Sequence, residues 1–259
     1  MMRVISSEWL RTKRTAVRWL TFCMPAAVSL CAVLYLAFRD GTTQEFAYEG
    51  FFTVWTVFIL PVAAGVLSGS LVNEEELAGN FGALLTTSLS RGKLYLGKFL
   101  LLVFCIAICT FLATVVLCIG MCAAMPSKVA AGPFLAAAAL TVMGALPLLA
   151  LHLWVSFVWG MGASIGISLG GLLMAALLGL TSLGTGIWPL VPWTWPVKLG
   201  MLPGSFFLIN AGTISPAQSL IQITRTASIG IVASGIGLLV FLLGGSLWFR
   251  RWEGRKSSA

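Results

Sequence analysis

From Val129 to Pro196 the chain carries no Asp, Glu, Lys or Arg. A water-soluble domain builds its outer shell from those residues, at roughly a quarter of its composition, so it has no place for such a run. The run is the extreme of a general property, because the 259 residues are 59% hydrophobic and only 9% charged. Lipid removes the need for a polar shell. A bilayer core is about 30 Å thick, so one helical crossing takes about 20 apolar residues. In that medium the backbone must satisfy its own polar groups, which favours helices. The pattern predicts an all-α polytopic membrane protein with six transmembrane helices, at about 19–38, 50–72, 99–124, 134–158, 163–182 and 227–249. All six belong to a single transmembrane domain spanning 1–259. Residues 184–222, rich in Gly, Pro and Trp, read as a long surface loop, open to being partly re-entrant.

The sixteen basic and eight acidic residues give a formal charge of +8. They cluster at the ends of apolar runs and form no stripe interleaved with stacking aromatics, so the excess reads as membrane anchoring and not as nucleic-acid binding. Placing both termini and the segment 73–98 in the cytoplasm puts twelve Lys and Arg inside and leaves only Arg39, Lys128, Lys198 and Arg225 outside. The positive-inside rule selects that orientation, and two cytoplasmic termini require an even number of crossings. The N-terminal segment, with Arg3, Arg11, Lys13, Arg14 and Arg18 against Glu8, predicts an interfacial helix on the anionic leaflet. The apolar run after it is long for a signal core and no clean small-x-small site follows, so the segment is read as retained.

Between spans two and three, Asn73-Glu74-Glu75-Glu76 has the form of a capping box opening a new helix. Leu77, Phe81, Leu84, Leu85 and Ser88 then recur at helical spacing, which predicts an amphipathic helix at the cytoplasmic face. Three acids are repelled by an anionic lipid surface, so a protein partner with a groove suits this helix better. Gly92 to Lys98, GKLYLGK, matches the first seven positions of a phosphate-binding loop. Phe99 stands where Ser or Thr must hold magnesium and no strand precedes it, so nucleotide binding by this chain is rejected.

The remaining features read first as packing. Cys23, Cys31, Cys105, Cys109, Cys118 and Cys122 all fall within spans, without the His or carboxylate neighbours a zinc site uses. His152, the one histidine, has no membrane carboxylate to exchange protons with and reads as a neutral, hydrogen-bonded residue. Gly162, Gly166 and Gly170 form one small-xxx-small ladder and Gly65 and Gly69 another; packing within the chain and pairing with a second subunit both account for them. Trp188, Pro192, Trp193, Trp195 and Pro196 lie on the outer side, as an aromatic belt or as a substrate-handling or gating surface.

Six spans, the basic N-terminal helix with Glu8 and Lys13-Arg14, the acidic cytoplasmic helix after span two, and Ser90-Arg91 leading to Tyr95-Leu96-Gly97-Lys98 resemble a type-2 ABC exporter permease. Trp193-Thr194-Trp195-Pro196 after span five resembles the external segment of the lantibiotic-immunity permease subunits. The likeness covers nearly the whole chain. It implies a non-enzymatic transport subunit with no catalytic residue, cofactor or metal of its own. ATP and Mg then belong to cytoplasmic ABC ATPase subunits, and a second related permease completes a homo- or heterodimer in the bacterial cytoplasmic membrane. The implied cargo is a membrane-active antimicrobial peptide expelled from the outer leaflet. By position, residues 73–89 become the ATPase-docking segment, with Asn73, Glu74, Glu75 and Glu76 as polar contacts and Leu77, Phe81, Leu84 and Leu85 as apolar anchors. A drug, haem, ion or glycolipid is an alternative cargo. An intramembrane protease using Glu75 and Glu76, or a proton-coupled carrier, lacks the converging membrane carboxylates that either chemistry needs.

Overall fold

The computed structural model describes residues 9, 13, 15–79, 81, 82, 86, 90–124, 129–212 and 215–254. Among them the secondary structure is helical throughout, without a strand. Six helices are long and apolar enough to cross a membrane. They are α1 (Ala16–Ala37), α2 (Gln44–Leu77), α3 (Arg91–Ala124), α4 (Ala131–Trp159), α5 (Met161–Leu180) and, last in the chain, α8 (Pro216–Arg250). Two shorter helices, α6 (Thr194–Met201) and α7 (Ser205–Asn210), lie between α5 and α8.

The helices outrun the apolar stretches that predict them. α2 and α3 each have 34 residues, about 51 Å of rise against about 30 Å of hydrocarbon. Their excess turns continue as helix into the interface, where charged side chains are tolerated. Asn73-Glu74-Glu75-Glu76 therefore ends α2 and does not open a new helix. A capping box needs a non-helical residue at its first position, and Asn73 follows eleven helical residues from Pro61 to Leu71 and then Val72 in the same helix. GKLYLGK likewise forms the opening turns of α3 and not a loop. Between the two, Gly82 and Thr86 are helical, the Thr86 hydroxyl donating to the Gly82 carbonyl at 2.9 Å. The N-terminal interfacial segment lies mostly outside the described residues.

α4 is the hub of the bundle, touching α2, α3, α5, α6 and α8. α1 packs on α3, and α2 packs on α5 through the small residues Gly65 and Gly69. A Cβ on Gly65 would stand 2.6 Å from the Ser168 side chain, and one on Gly69 2.8 Å from Met161. α4 and α5 are joined by Gly160 alone, whose φ of +88° an L side chain rarely adopts.

The segment after α5 is a surface loop only in part: residues 181–187 are mostly exposed, whereas residues 194–200 are mostly buried inside the bundle. From Leu180 the chain passes through short turns to Trp193, beside Gly171 in the middle of α5, and α6 then climbs antiparallel to α4. Pro196 sits against Gly144 and Gly200 against Thr141, while Trp195 fills the space beside Gly237 of α8 and Pro147 of α4. Trp195, Val197 and Leu199 are buried. The Tyr48 hydroxyl at the start of α2 donates to the Gly200 carbonyl at 2.6 Å, tying the end of this segment to α2. Composition suggested a loop because Pro and Gly break regular helix. Here they allow a helix of eight residues to lie backbone-to-backbone on α4.

Of these approaches Gly144 is the one that meets backbone, since a Cβ there would stand 2.8 Å from the backbone nitrogen of Pro196. Gly144→Val should lower stability by about 1–3 kcal/mol through overpacking, measured as thermal unfolding in detergent. Gly132→Val, on the same helix with nothing within 4 Å of its Cβ position, should leave the transition unchanged.

Candidate coupling site and re-entrant segment

The end of α2 and the start of α3 are locked by one ion pair. Lys98 Nζ lies 2.8 Å from Glu75 Oε1, with the two side chains 1% and 8% exposed. Of the three consecutive acids, Glu75 is thus turned inward, while Glu74 and Glu76 are half-buried and Asn73 sits beside them at a similar depth. Desolvating two charges is expensive, and close geometry is what offsets it. The sequence signal was available: opposite charges at the ends of consecutive spans, each facing the same side of the membrane. Reading Lys98 only as an anchor missed it.

After Leu77 the chain turns through Ala78 and Gly79, and the Phe81 N–H donates to the Glu75 carbonyl at 3.1 Å. Phe81 has φ +64°, a left-handed conformation that costs a bulky residue about 1–3 kcal/mol. Its side chain explains why that backbone is kept. The Phe81 ring is 4.8 Å from Trp252 and 6.4 Å from Phe157. Phe157 in turn lies 4.7 Å from Phe249 and 6.1 Å from Tyr95. One aromatic cluster therefore joins the α2–α3 segment, α3, the end of α4 and the end of α8. Arg91 adds a hydrogen bond from its guanidinium to the Trp252 carbonyl. The expected apolar anchors divide accordingly. Leu77 is 78% exposed, Phe81 is buried within the chain's own core, and Leu84 and Leu85 lie outside the described residues.

On the other side of α4, five residues before Phe157 and about 8 Å along the axis, His152 is fully buried. The Ser164 hydroxyl donates to the Gly65 carbonyl at 3.0 Å. Its only proton is spent there, so the 3.1 Å contact with His152 is a bond from Nδ1–H to the Ser164 oxygen, leaving Nε2 unprotonated. The arrangement ties α2, α4 and α5 together with neutral groups. The Trp193 ring stands edge-on to His152, with centroids 6.3 Å apart, and its indole nitrogen rests on Gly171. Trp188 and Pro192 are half-buried, and Trp195 and Pro196 are buried; Trp195 donates from its indole N–H to the Pro189 carbonyl at 3.0 Å. Trp188, Pro192, Trp193, Trp195 and Pro196 thus share one segment packed into the bundle, and Asn73 to Leu77 and Phe81 lie together where α2 meets α3. Both are seated on α4.

Residues 4–175 match the family described as ABC-2 family transporter protein. No curated protein matches the chain.

Removing one member of a buried ion pair strands the other. Glu75→Gln and Lys98→Met should each destabilise the protein by about 3–5 kcal/mol, while Glu75→Leu combined with Lys98→Met should recover most of that loss. Thermal unfolding of the purified variants in detergent measures all three.

Proposed function

The chain belongs to the ABC-2 family of transporter proteins, and from that premise we propose that it is the permease subunit of an ATP-driven exporter of a membrane-active antimicrobial peptide, a lantibiotic. It resides in the bacterial cytoplasmic membrane with both termini inside, as the distribution of Lys and Arg favours. ATP and Mg bind a separate pair of cytoplasmic ATPase subunits. The ATPase docks on the exposed end of α2, where Leu77 stands clear of the protein beside Glu74 and Glu76.

The observation that carries this reading is the seating of two sites on one helix. A push on the α2–α3 segment moves Phe81, and Phe81 is packed against Phe157 of α4. The same helix carries His152 under Trp193 and Gly144 under Pro196. Close-packed interiors transmit displacement because they have no slack, so α4 conveys the stroke to the re-entrant segment. There Pro189 and Leu190 border an apolar groove on α8 with Val232, Ile236 and Val240, suited to the apolar face of a peptide. The resemblance of Trp193-Thr194-Trp195-Pro196 to the lantibiotic-immunity permeases supports the cargo.

The two glycine ladders have different roles in this reading. Gly65 and Gly69 are occupied by α5, whereas Gly162, Gly166 and Gly170 have nothing within 4 Å of their Cβ positions. That open stripe on α5, flanked by exposed Leu169 and Leu173, receives the second permease subunit.

Deleting the gene should raise sensitivity to a lantibiotic. Glu74→Lys with Glu76→Lys, which spares the Glu75–Lys98 pair, should reproduce that sensitivity and abolish co-purification of the ATPase at unchanged membrane abundance. Unaltered resistance in the deletion strain contradicts the cargo. An ATPase that still co-purifies with the charge-reversed chain contradicts the docking surface.

A further inference from the structure

Between α1 and α2, at the end nearest the turn that joins them, runs an apolar groove of about 550 Å³. Cys31 and Tyr35 line it from α1, and Phe46, Gly50, Val54 and Ile59 from α2. The rise from Phe46 to Ile59 is about 20 Å, and one leaflet contributes about 15 Å of hydrocarbon. The groove therefore runs from the membrane face to near the bilayer middle. Val54 and Ile59 are five residues apart and would diverge by about 140° in an α-helix. They share the groove because Val54–Ile59 is π-helical, a distortion that concentrates at functional sites. At Gly50 the groove is open, with no atom within 4 Å of a Cβ position.

A cation is fixed at the mouth. The Arg39 guanidinium lies over the Phe46 ring, 4.1 Å from its centroid, and Nη1 donates to the Tyr35 hydroxyl at 2.9 Å. Both partners line the groove, so the charge is held at its rim while the rest of the fork faces solvent. A planar guanidinium matches a phosphate. Asp40 follows Arg39 directly, and Glu45 lies in the first turn of α2. A headgroup with an ammonium beside its phosphate suits this mixture of charges better than a purely anionic one.

From the carbon-lined slot and the charge pinned above it, we infer that this groove binds one zwitterionic phospholipid from the leaflet that meets the α1–α2 turn. An acyl chain lies along Gly50 and Ile59, the phosphate meets Arg39, and the ammonium faces Asp40 and Glu45. The site rests on the six-helix fold and is independent of the transport reading and of orientation.

Native mass spectrometry of the purified full chain tests it, with phosphatidylethanolamine, phosphatidylglycerol and diacylglycerol of identical acyl chains as probes. Retention of one phosphatidylethanolamine is expected, with the other two held more weakly. Arg39→Ala, at an exposed position, should lower retention about tenfold through loss of the charge-assisted contact. Gly50→Phe, which fills the slot, should lower it comparably. Gly132→Phe, equally open but away from the groove, should retain the lipid. Equal retention of either comparison lipid overturns the inference, as does indifference of phosphatidylethanolamine to both variants. Loss of subunit pairing in Gly50→Phe with lipid retention unchanged would assign the groove to a second permease and likewise overturn it.

Discussion

Within a membrane a helix gains nothing by hiding apolar surface, because lipid tails are as apolar as leucine, and the bundle must be held by close contact. In this protein those contacts converge on α4, which touches five other helices. Its Gly and Pro positions make this feasible. Gly144 and Pro147 admit the backbone of α6 and the ring of Trp195. Gly160 then reverses the chain so that α5 can return beside it. A shift of α4 is therefore felt by all five of those helices.

Two of the polar connections within the bundle differ in kind. Glu75 and Lys98 form a buried charged pair near the end of α2 and the start of α3, held by close geometry that offsets the cost of desolvation. His152, Ser164 and Gly65 form a neutral chain at membrane depth, where a charge is far more costly. The first fixes the base of the α2–α3 segment, and the second fixes α4 against α2 and α5. Between them lies the aromatic cluster around Phe157. Its rings sustain the strained backbone of Phe81, so the α2–α3 segment is joined mechanically to the bundle.

The number of crossings and the all-helical class were legible because charge depletion in lipid leaves few alternatives. Helix ends were less so. Hydropathy reports where the hydrocarbon stops, not where the backbone hydrogen bonds stop, and Asn73 to Leu77 and Arg91 to Lys98 are helical beyond it. The region from Gly184 onward misled for a related reason. Pro and Gly mark departures from regular helix in water and in protein alike, and only the mates of those residues, Gly144, Gly171 and Gly237, reveal that the segment is embedded. The depths of the residues expected to couple were not readable in sequence: Glu75 and Phe81 are buried while Leu77 is exposed. Helical periodicity put Leu77 and Phe81 on one face, and a left-handed residue at Phe81 breaks that periodicity.

If the proposed coupling holds, the α2–α3 corner and the segment 188–201 move together through α4. Hydrogen exchange by mass spectrometry tests it most directly, comparing the permease–ATPase complex in its nucleotide-free and ATP-trapped states. In the native chain, exchange should change both at 78–90 and at 188–201. In Phe81→Ala the change at 78–90 should persist and the change at 188–201 should vanish. A response at 188–201 that survives Phe81→Ala would contradict the account.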